Sequence, residues 1–511
     1  MTGKPWPSWI FNLLVLFLYC VLAVLITWPL IINLTRFIID SGDGLLITWY
    51  LNWSIAHPFD LNANIFYPIK NTLVFSDLML PQAFLAAPFV KLFKEPLLAY
   101  NLNFMGGFAL TAFSIYLLVF GLSKDKQAAF VAGVLAGFSS IHLNYMAHLQ
   151  LFNLWPLILT IHFFLQNKFY PYVLFFIASV LTTALFFYFL LVFLGVYYFV
   201  FRKIFSVDKL IKFVIIPVLF CIPMLMPYYL VSKEWNYTRP ITDAIHFSFQ
   251  IPDLLNFGDS SRLTKVFGAL PGFTPGWIGL GMFLLVVFGS HFTRPGLSRM
   301  WGIFLAVCFV LSLGPALHFV RDTVRVGPMP GIPLPYAIFY YLVPGWAGFR
   351  AASRWLIPAA IGLVIMLTTT KKITGKWVII LFCATLLEIN FPFKYYSVPE
   401  LPPEQEWLVN LKIKMPIIQF PIYYWDNPGF REETLREYYS TYHWTPMYNG
   451  YSGFSPQVWE EEVKWLQNNF PGEKSYQLLR ERGIKMVIVP KDWRVNLPKI
   501  ATFTETAIYR L

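Results

Sequence analysis

At 511 residues, with 57% hydrophobic side chains against 13% charged ones, the chain carries more apolar material than a soluble fold of this length can cover, which excludes an ordinary water-soluble enzyme. The formal charge is +12, and Cys20, Cys221, Cys308 and Cys383 all fall inside apolar stretches, which excludes a disulfide framework and a cysteine zinc site. A bilayer is the solvent that fits this composition.

The first apolar stretch, Trp9 to Ile32, has no small-residue cleavage site and runs into the acidic turn Ile39-Asp40-Ser41-Gly42-Asp43-Gly44, so it is expected to stay as an anchor. Two carboxylates at a bilayer edge are costly, which makes this turn the best handle on function. Leu45 to Ile55, with Trp49, Tyr50, Asn52 and Trp53, predicts an aromatic-rich helix lying in the interface plane. Asn62 to Pro68, Ser76-Asp77 and Pro81 then return the chain to the membrane. Further spans are expected at Leu97 to Phe120, Ala128 to Ile141, Leu149 to Leu165, Ile211 to Leu230, Trp277 to Phe288, Met300 to Val320, Trp355 to Leu367 and Trp377 to Ile389. Tyr170 to Phe201 is too long for one crossing at about 1.5 Å per residue, and it reads as two helices joined near Thr182 and Thr183. The expectation is about eleven transmembrane helices.

With a cytoplasmic N-terminus and alternating spans, the inner side holds Lys4, Lys124, Lys126, Lys168, Arg202, Lys203, Lys209, Lys212, Arg294, Arg299, Lys371, Lys372 and Lys376 against Asp125 and Asp208 only. That partition obeys the positive-inside rule and leaves residues 33–96, 231–276 and 319–352 as outer loops. Residues 1–391 form the membrane module. Residues 392–511 carry as many basic as acidic residues and read as a small, soluble, extracytoplasmic α/β domain, with no electrostatic footprint for nucleic acid. Its strands are expected at Pro416 to Tyr424, Ile484 to Pro490 and Thr504 to Arg510, and its helices at Pro456 to Asn469 and Lys474 to Arg482.

Three features resemble the polytopic glycosyltransferases of the GT-C class, especially prokaryotic members of the mannosyltransferase and arabinosyltransferase type, and the large YfhO-like membrane proteins. They are the acidic turn with its aromatic helix and Asn64-Ile65-Phe66-Tyr67-Pro68; the run from Pro344-Gly345-Trp346 to Arg350-Ala351-Ala352-Ser353-Arg354; and the tail with Gln419-Phe420-Pro421 and Tyr448-Asn449-Gly450-Tyr451. The resemblance implies a GT-C-like α-helical membrane fold in a prokaryotic plasma membrane. It also implies transfer of a sugar from a polyprenyl-phosphate donor to a glycan, lipid or protein acceptor on the outer face. The catalytic base then falls on Asp43, with Asp40 second, and a carboxylate suits this role because an acceptor hydroxyl must lose its proton as it attacks.

The leaving phosphate calls for positive charge. Arg350 and Arg354, four apart, would share a face on a helical turn and suit phosphate oxygens, with Arg321 and Arg325 repeating the spacing. His142 and His148 could contact phosphate or a sugar hydroxyl, and Asp77, Asp259 and Trp49 are further substrate-binding candidates. Asp43 with His148 could hold a divalent cation, Mg or Mn, although this donor set is a weak metal signal.

Blander readings stand beside these. Asp43, Asp40 and Asp77 could cap helices and turns, and the arginines could reach lipid headgroups. The histidines could be satisfied by Asn144, Tyr145 and Gln150, and Asp259 could pair with Arg262. The outer aromatics could form an interfacial belt, while the tail's own cluster suits carbohydrate contact or docking against the long loops. A lipid or glycan transporter or flippase should place polar groups deep in several spans and show two related halves. A non-catalytic scaffold for envelope polysaccharide assembly would need the tail but not the acidic turn.

Overall fold

The computed structural model describes residues 8–202, 206–270, 274–288, 298–319, 322–324, 331–370, 373, 375–424 and 428–511. Contacts divide the chain into two compact units. The first comprises Met1–Ile31, Asn103–Ser232 and Asn236–Phe393; the second comprises Ile32–Leu102, Lys233–Trp235 and Lys394–Leu511.

The first unit is helical. Among the described residues five helices are long and apolar enough to cross a membrane: Trp9–Ile26, Leu97–Ser123, Ala184–Phe201, Val207–Glu234 and Ala352–Thr370. Three shorter apolar helices, Leu149–Leu165, Phe169–Thr182 and Arg299–Ser312, accompany them, and a fourth, Leu80–Phe93, belongs to the second unit. Against the expectation of about eleven spans, the described residues give five long and four short apolar helices by length and composition. Several expected spans are shorter than their apolar runs. The one expected to reach Val320 stops at Ser312, where Gly314 takes a φ of +77° and the chain turns into the His318–Phe319 strand.

The joint expected near Thr182 and Thr183 is present. Thr183 is extended, and its hydroxyl accepts from the Leu185 N–H at 3.3 Å, so one apolar run becomes the helices Phe169–Thr182 and Ala184–Phe201. The Lys126–Gly137 helix starts where Asp125 accepts from Gln127 N at 3.0 Å and Ala128 N at 3.1 Å. Its Gly133 and Gly137 form a small face against the Leu97–Ser123 helix. A Cβ on Gly133 would lie 2.6 Å from the Ala112 carbonyl oxygen, and one on Gly137 would lie 2.8 Å from Ala112 Cβ. In lipid, where apolar burial drives no association, such close backbone packing holds helices together.

The second unit joins the first long loop to the C-terminal residues. Its sheet runs in the order Ile417–Gln419, Met486–Pro490, Thr506–Arg510, Lys499–Thr502, with the first pair parallel and the rest antiparallel. The helices Gln457–Asn469 and Glu473–Glu481 fall where sequence periodicity placed them. The loop backbone pairs with this unit: Phe66 N donates to Asn449 O at 3.0 Å, Tyr67 N to Met447 O at 2.8 Å, and Met447 N to Asn64 O at 2.7 Å.

The helix after the acidic turn, Asp43–Ala56, differs from its expected interfacial position. Every residue from Gly44 to Ile55 is buried, and the helix packs against Phe430–Ser440 and Leu80–Phe93. A helix apolar on all sides needs cover on all sides, and protein supplies it here. Trp53 and His57 pack edge-on against Trp444 at 5.4 and 5.1 Å, and Phe66 against Trp459 at 4.7 Å. Trp444 and Trp459 of the tail are therefore used in docking the loop.

Candidate functional site

Within the second unit, the approach to the acidic turn is fixed by a short strand, Phe37–Ile38, paired antiparallel with Tyr396–Ser397. Asn101 donates to the carbonyls of Leu34 and Phe37 at 2.7 and 2.8 Å, so the loop cannot slide at this point. Asp40 Oδ1 then accepts from Gly42 N at 2.9 Å and Gly44 N at 3.2 Å. Its carboxylate satisfies backbone donors at the start of the Asp43–Ala56 helix, which is capping chemistry. The two glycines sit in tight surroundings. A Cβ on Gly42 would meet Phe430 at 3.3 Å, and one on Gly44 would meet Ile38 at 3.0 Å.

Asp43 is the first residue of the helix and is half-buried. A carboxylate there interacts favourably with the exposed N–H groups of the first turn. Asp40 and Asp43 both act electrostatically on Tyr100. Tyr50 lies two turns beyond Asp43, about 10 Å along the axis, and its hydroxyl pairs with Ser452 at 2.7 Å. Asp77 is within electrostatic reach of Tyr50. Trp49 is fully buried and donates to Asn64 at 3.1 Å, so it packs the helix into its unit.

Two carboxylates that sequence reading passed over sit on the Phe430–Ser440 helix, which faces the Asp43 helix. Glu433 accepts from Tyr423 N at 2.9 Å, from Asn449 and from Arg436 at 2.8 Å; burial pushes its carboxyl up, and these donors pull it back. Glu437 accepts from Tyr451 N at 2.5 Å, and its other oxygen is buried with no partner among the described residues. Burial pushes it well above the usual carboxylate range. The available signal was the four-residue spacing of Glu433 and Glu437, in a helix that also carries Arg431, Glu432 and Arg436.

In the first unit, the run from Pro344 to Arg354 is set by aromatic packing. Gly345 turns at a φ of +79°, Tyr188 donates to Pro344 O at 2.7 Å, and Trp346 stacks on Trp355 at 5.2 Å. The expected shared helical face of Arg350 and Arg354 is absent. Phe349 and Ala351 are extended, and a single 3-10 turn, Ala352–Trp355, precedes the Leu356–Thr370 helix. The two guanidinium groups nevertheless act on one another through this turn. Arg350 lies over Phe247 at 4.3 Å, and Ser353 N donates to Phe247 O at 3.0 Å.

Arg239 is a third arginine in this region, unforeseen because it stands alone in its loop. Its backbone N donates to Ala347 O at 3.1 Å and its carbonyl accepts from Tyr340 at 2.6 Å. Burial lowers the Arg350 pKa, Arg239 and Arg354 lower it further, and Asp243 opposes them. Three cations and one anion thus share a neighbourhood. Arg321 and Arg325 lie outside the described residues.

Beside this neighbourhood is a narrow apolar cleft lined by Ile141, Leu154, Ile158, Met282, Ile361 and Val364 among others. Tyr145 also lines it. Burial pushes that hydroxyl up to about 12, with Arg354 pulling it back. His142 forms part of the wall, its ring nitrogens 2.8 and 2.7 Å from the carbonyl oxygens of Gly137 and Phe152, and it stacks on Phe152 at 4.2 Å. His148 is half-buried and precedes the Leu149–Phe152 turn of helix. Asp259 is exposed, and its carbonyl accepts from Asn390 at 3.0 Å, while Arg262 lies over Phe391 at 4.7 Å. Among the described residues no group of three or more His, Cys, Asp or Glu is placed to hold a metal ion.

No family model and no curated protein matches the chain. Solved structures do. The mycobacterial arabinofuranosyltransferase AftD matches over 98% of this chain at 12% identity with a TM-score of 0.54. The chain spans 40% of that protein's length. ArnT from Cupriavidus metallidurans, at 12% identity, covers 98% of both chains, and the Archaeoglobus fulgidus oligosaccharyltransferase, also at 12% identity, covers 96% of this chain and 70% of its own. Their TM-scores of 0.40 and 0.43 are too low to argue a common fold. The likeness to AftD shows the fold: mostly helical, with several long apolar helices.

Proposed function

We propose that this chain is a membrane glycosyltransferase that moves a sugar from a polyprenyl-phosphate donor to a glycan, lipid or protein acceptor at the outer face of a prokaryotic plasma membrane. The observation that carries the reading is the apolar cleft whose lining Tyr145 lies within electrostatic reach of Arg354, with Arg350 and Arg239 close by. An isoprenoid phosphate needs such a pair of surroundings, apolar for its chain and cationic for its head.

In the reaction, the acceptor oxygen bonds to the anomeric carbon and inverts it. The bond from that carbon to the phosphate oxygen breaks, and its electron pair stays on phosphate. The acceptor proton passes to Asp43. Phosphate charge rises from about −1 to −2 as the bond breaks, so arginines stabilise the leaving state more than the bound donor. No general acid is required. The lipid phosphate departs as an anion.

The deciding experiment is Asp43→Asn in purified protein, assayed with undecaprenyl-phosphate-linked sugars and followed in parallel by binding of undecaprenyl phosphate. Turnover should fall by about 10²–10⁴ while lipid binding persists. Full transfer activity in this variant would overturn the reading, and a protein that binds the lipid phosphate but never transfers a sugar would favour the flippase or scaffold class.

A further inference from the structure

Glu388, at the end of the Gly375–Glu388 helix, is a buried carboxylate that the proposed chemistry does not use. Its Oε1 accepts from Ser140 Oγ at 2.6 Å, Ser261 Oγ at 3.1 Å and Trp277 Nε1 at 2.6 Å, and its Oε2 accepts from the Leu280 N–H. These donors are two hydroxyls, an indole and a backbone amide. They come from three places in the sequence: the Ser140–Leu143 turn, the Ser261 segment, and the stretch leading into the Leu280–Phe288 helix. Removing one partner from such a buried set leaves the others unsatisfied, which costs more than the bond contributed.

The backbone repeats the arrangement. Arg262 N donates to Glu388 O at 2.7 Å, Asn390 N to Ser260 O at 2.8 Å, and Ser261 bridges Ile389. Residues 260–262 and 277–280 are thereby fastened to the helix end on one side. On the other they lie against residues 139–144: Ser260 donates to Asn144 at 3.1 Å, and a Cβ on Gly279 would lie 3.2 Å from Ser139 Cβ. Ser139, Ile141, His142 and Tyr145 line the apolar cleft, as does Met282 just past the fastened stretch.

We propose that Glu388 is a positioning residue for the cleft: by gathering Ser140, Ser261, Trp277 and Leu280 on one carboxylate, it sets the wall that presents Tyr145 beside Arg354. This rests on reading the cleft as the site of a lipid phosphate. Glu388 touches no reacting atom. Its effect should appear in binding and in local protection together, because the same carboxylate holds the wall and the segment behind it.

The test uses the full chain in detergent with undecaprenyl phosphate as the probe. Variants are Glu388→Ala, Glu388→Gln and the single-bond deletions Ser140→Ala and Ser261→Ala, which guard against a Glu388 variant that does not fold, with Arg354→Ala as the control for the cleft reading itself. Hydrogen exchange is read at residues 139–145 and 256–270. The expected result is graded: Glu388→Ala weakens the probe by about tenfold or more, Glu388→Gln and the serine variants weaken it less, and exchange rises in both segments in the same order. Exchange that stays unchanged at 139–145 overturns the proposal. So does faster exchange with unchanged affinity, the outcome of a purely structural role. If the unsubstituted protein does not bind the probe, the donor-cleft reading fails and takes this inference with it; weakened binding confined to Arg354→Ala leaves that reading standing and removes Glu388 alone.

Discussion

Asp40 and Asp43 are three residues apart in sequence and part company in structure, so their substitutions should separate stability from chemistry. Asp40 Oδ1 holds two backbone N–H groups, those of Gly42 and Gly44. Asp40→Ala removes both bonds at a half-buried site where water replaces part of the loss, and capping precedents put the cost at about 1–2 kcal/mol. For a unit of this size that corresponds to a Tm lower by roughly 3–6 °C. Asp40→Asn keeps an acceptor oxygen in place and should recover most of the loss. Asp43→Asn should leave the Tm within about 2 °C and remove turnover. Thermal unfolding of the purified variants, with sugar transfer measured well below the lower Tm, gives both readings on the same samples. If Asp40→Asn unfolds normally yet abolishes transfer as completely as Asp43→Asn, the separation of roles is wrong and Asp40 belongs to the chemistry.

Three other outcomes are expected. Burial, assisted by Lys414, lowers the His443 pKa from 6.5 to about 3, and its ring nitrogens are engaged by Thr445 N and Gln405 at 3.0 Å each. The unfolded chain therefore binds a proton between these values that the folded chain refuses, and stability should fall as pH drops from about 6.5 towards 3, by at most roughly 3–5 kcal/mol. His443→Asn keeps an acceptor for Thr445 and should flatten the Tm profile over that window; an unaltered slope would show that His443 is not its source. Arg239→Gln should weaken undecaprenyl phosphate by about tenfold and reduce the salt dependence of binding, whereas unchanged affinity would remove Arg239 from the anion site. Gly133→Ala should destabilise the first unit by about 1–3 kcal/mol, read as a lower Tm, because its methyl group would press on the Ala112 carbonyl oxygen.

Local rules were legible where the chain obeys them locally. The break at Thr183, the two amphipathic helices of the tail and the strand at Met486–Pro490 each carry their signal within a dozen residues. Tertiary contacts decided the rest. Leu45 to Ile55 has the aromatic composition of an interfacial helix, and nothing nearby in sequence says that the Phe430–Ser440 helix covers it. Arg350 and Arg354 have helical spacing, but the Trp346–Trp355 stack imposes a turn between them. Arg239 has no spacing partner at all and joins them only through the fold.

The buried carboxylates sharpen the case for Asp43 by contrast. Glu388 is surrounded by neutral donors from three segments, Glu433 by Arg436, Asn449 and a backbone amide, and Glu437 by the Tyr451 amide. Asp40 is committed to two backbone amides of its own turn. A base must exchange a proton with an incoming hydroxyl, so it needs access as well as a carboxylate. Glu388, Glu433 and Glu437 are each less than a tenth exposed, whereas Asp43 is half-buried at the first turn of its helix. Its rigid setting comes from its neighbours: Gly42 and Gly44 pack against Phe430 and Ile38, and Asp40 holds the turn. A carboxylate placed by such a frame can keep its orientation through a catalytic cycle without being buried by it.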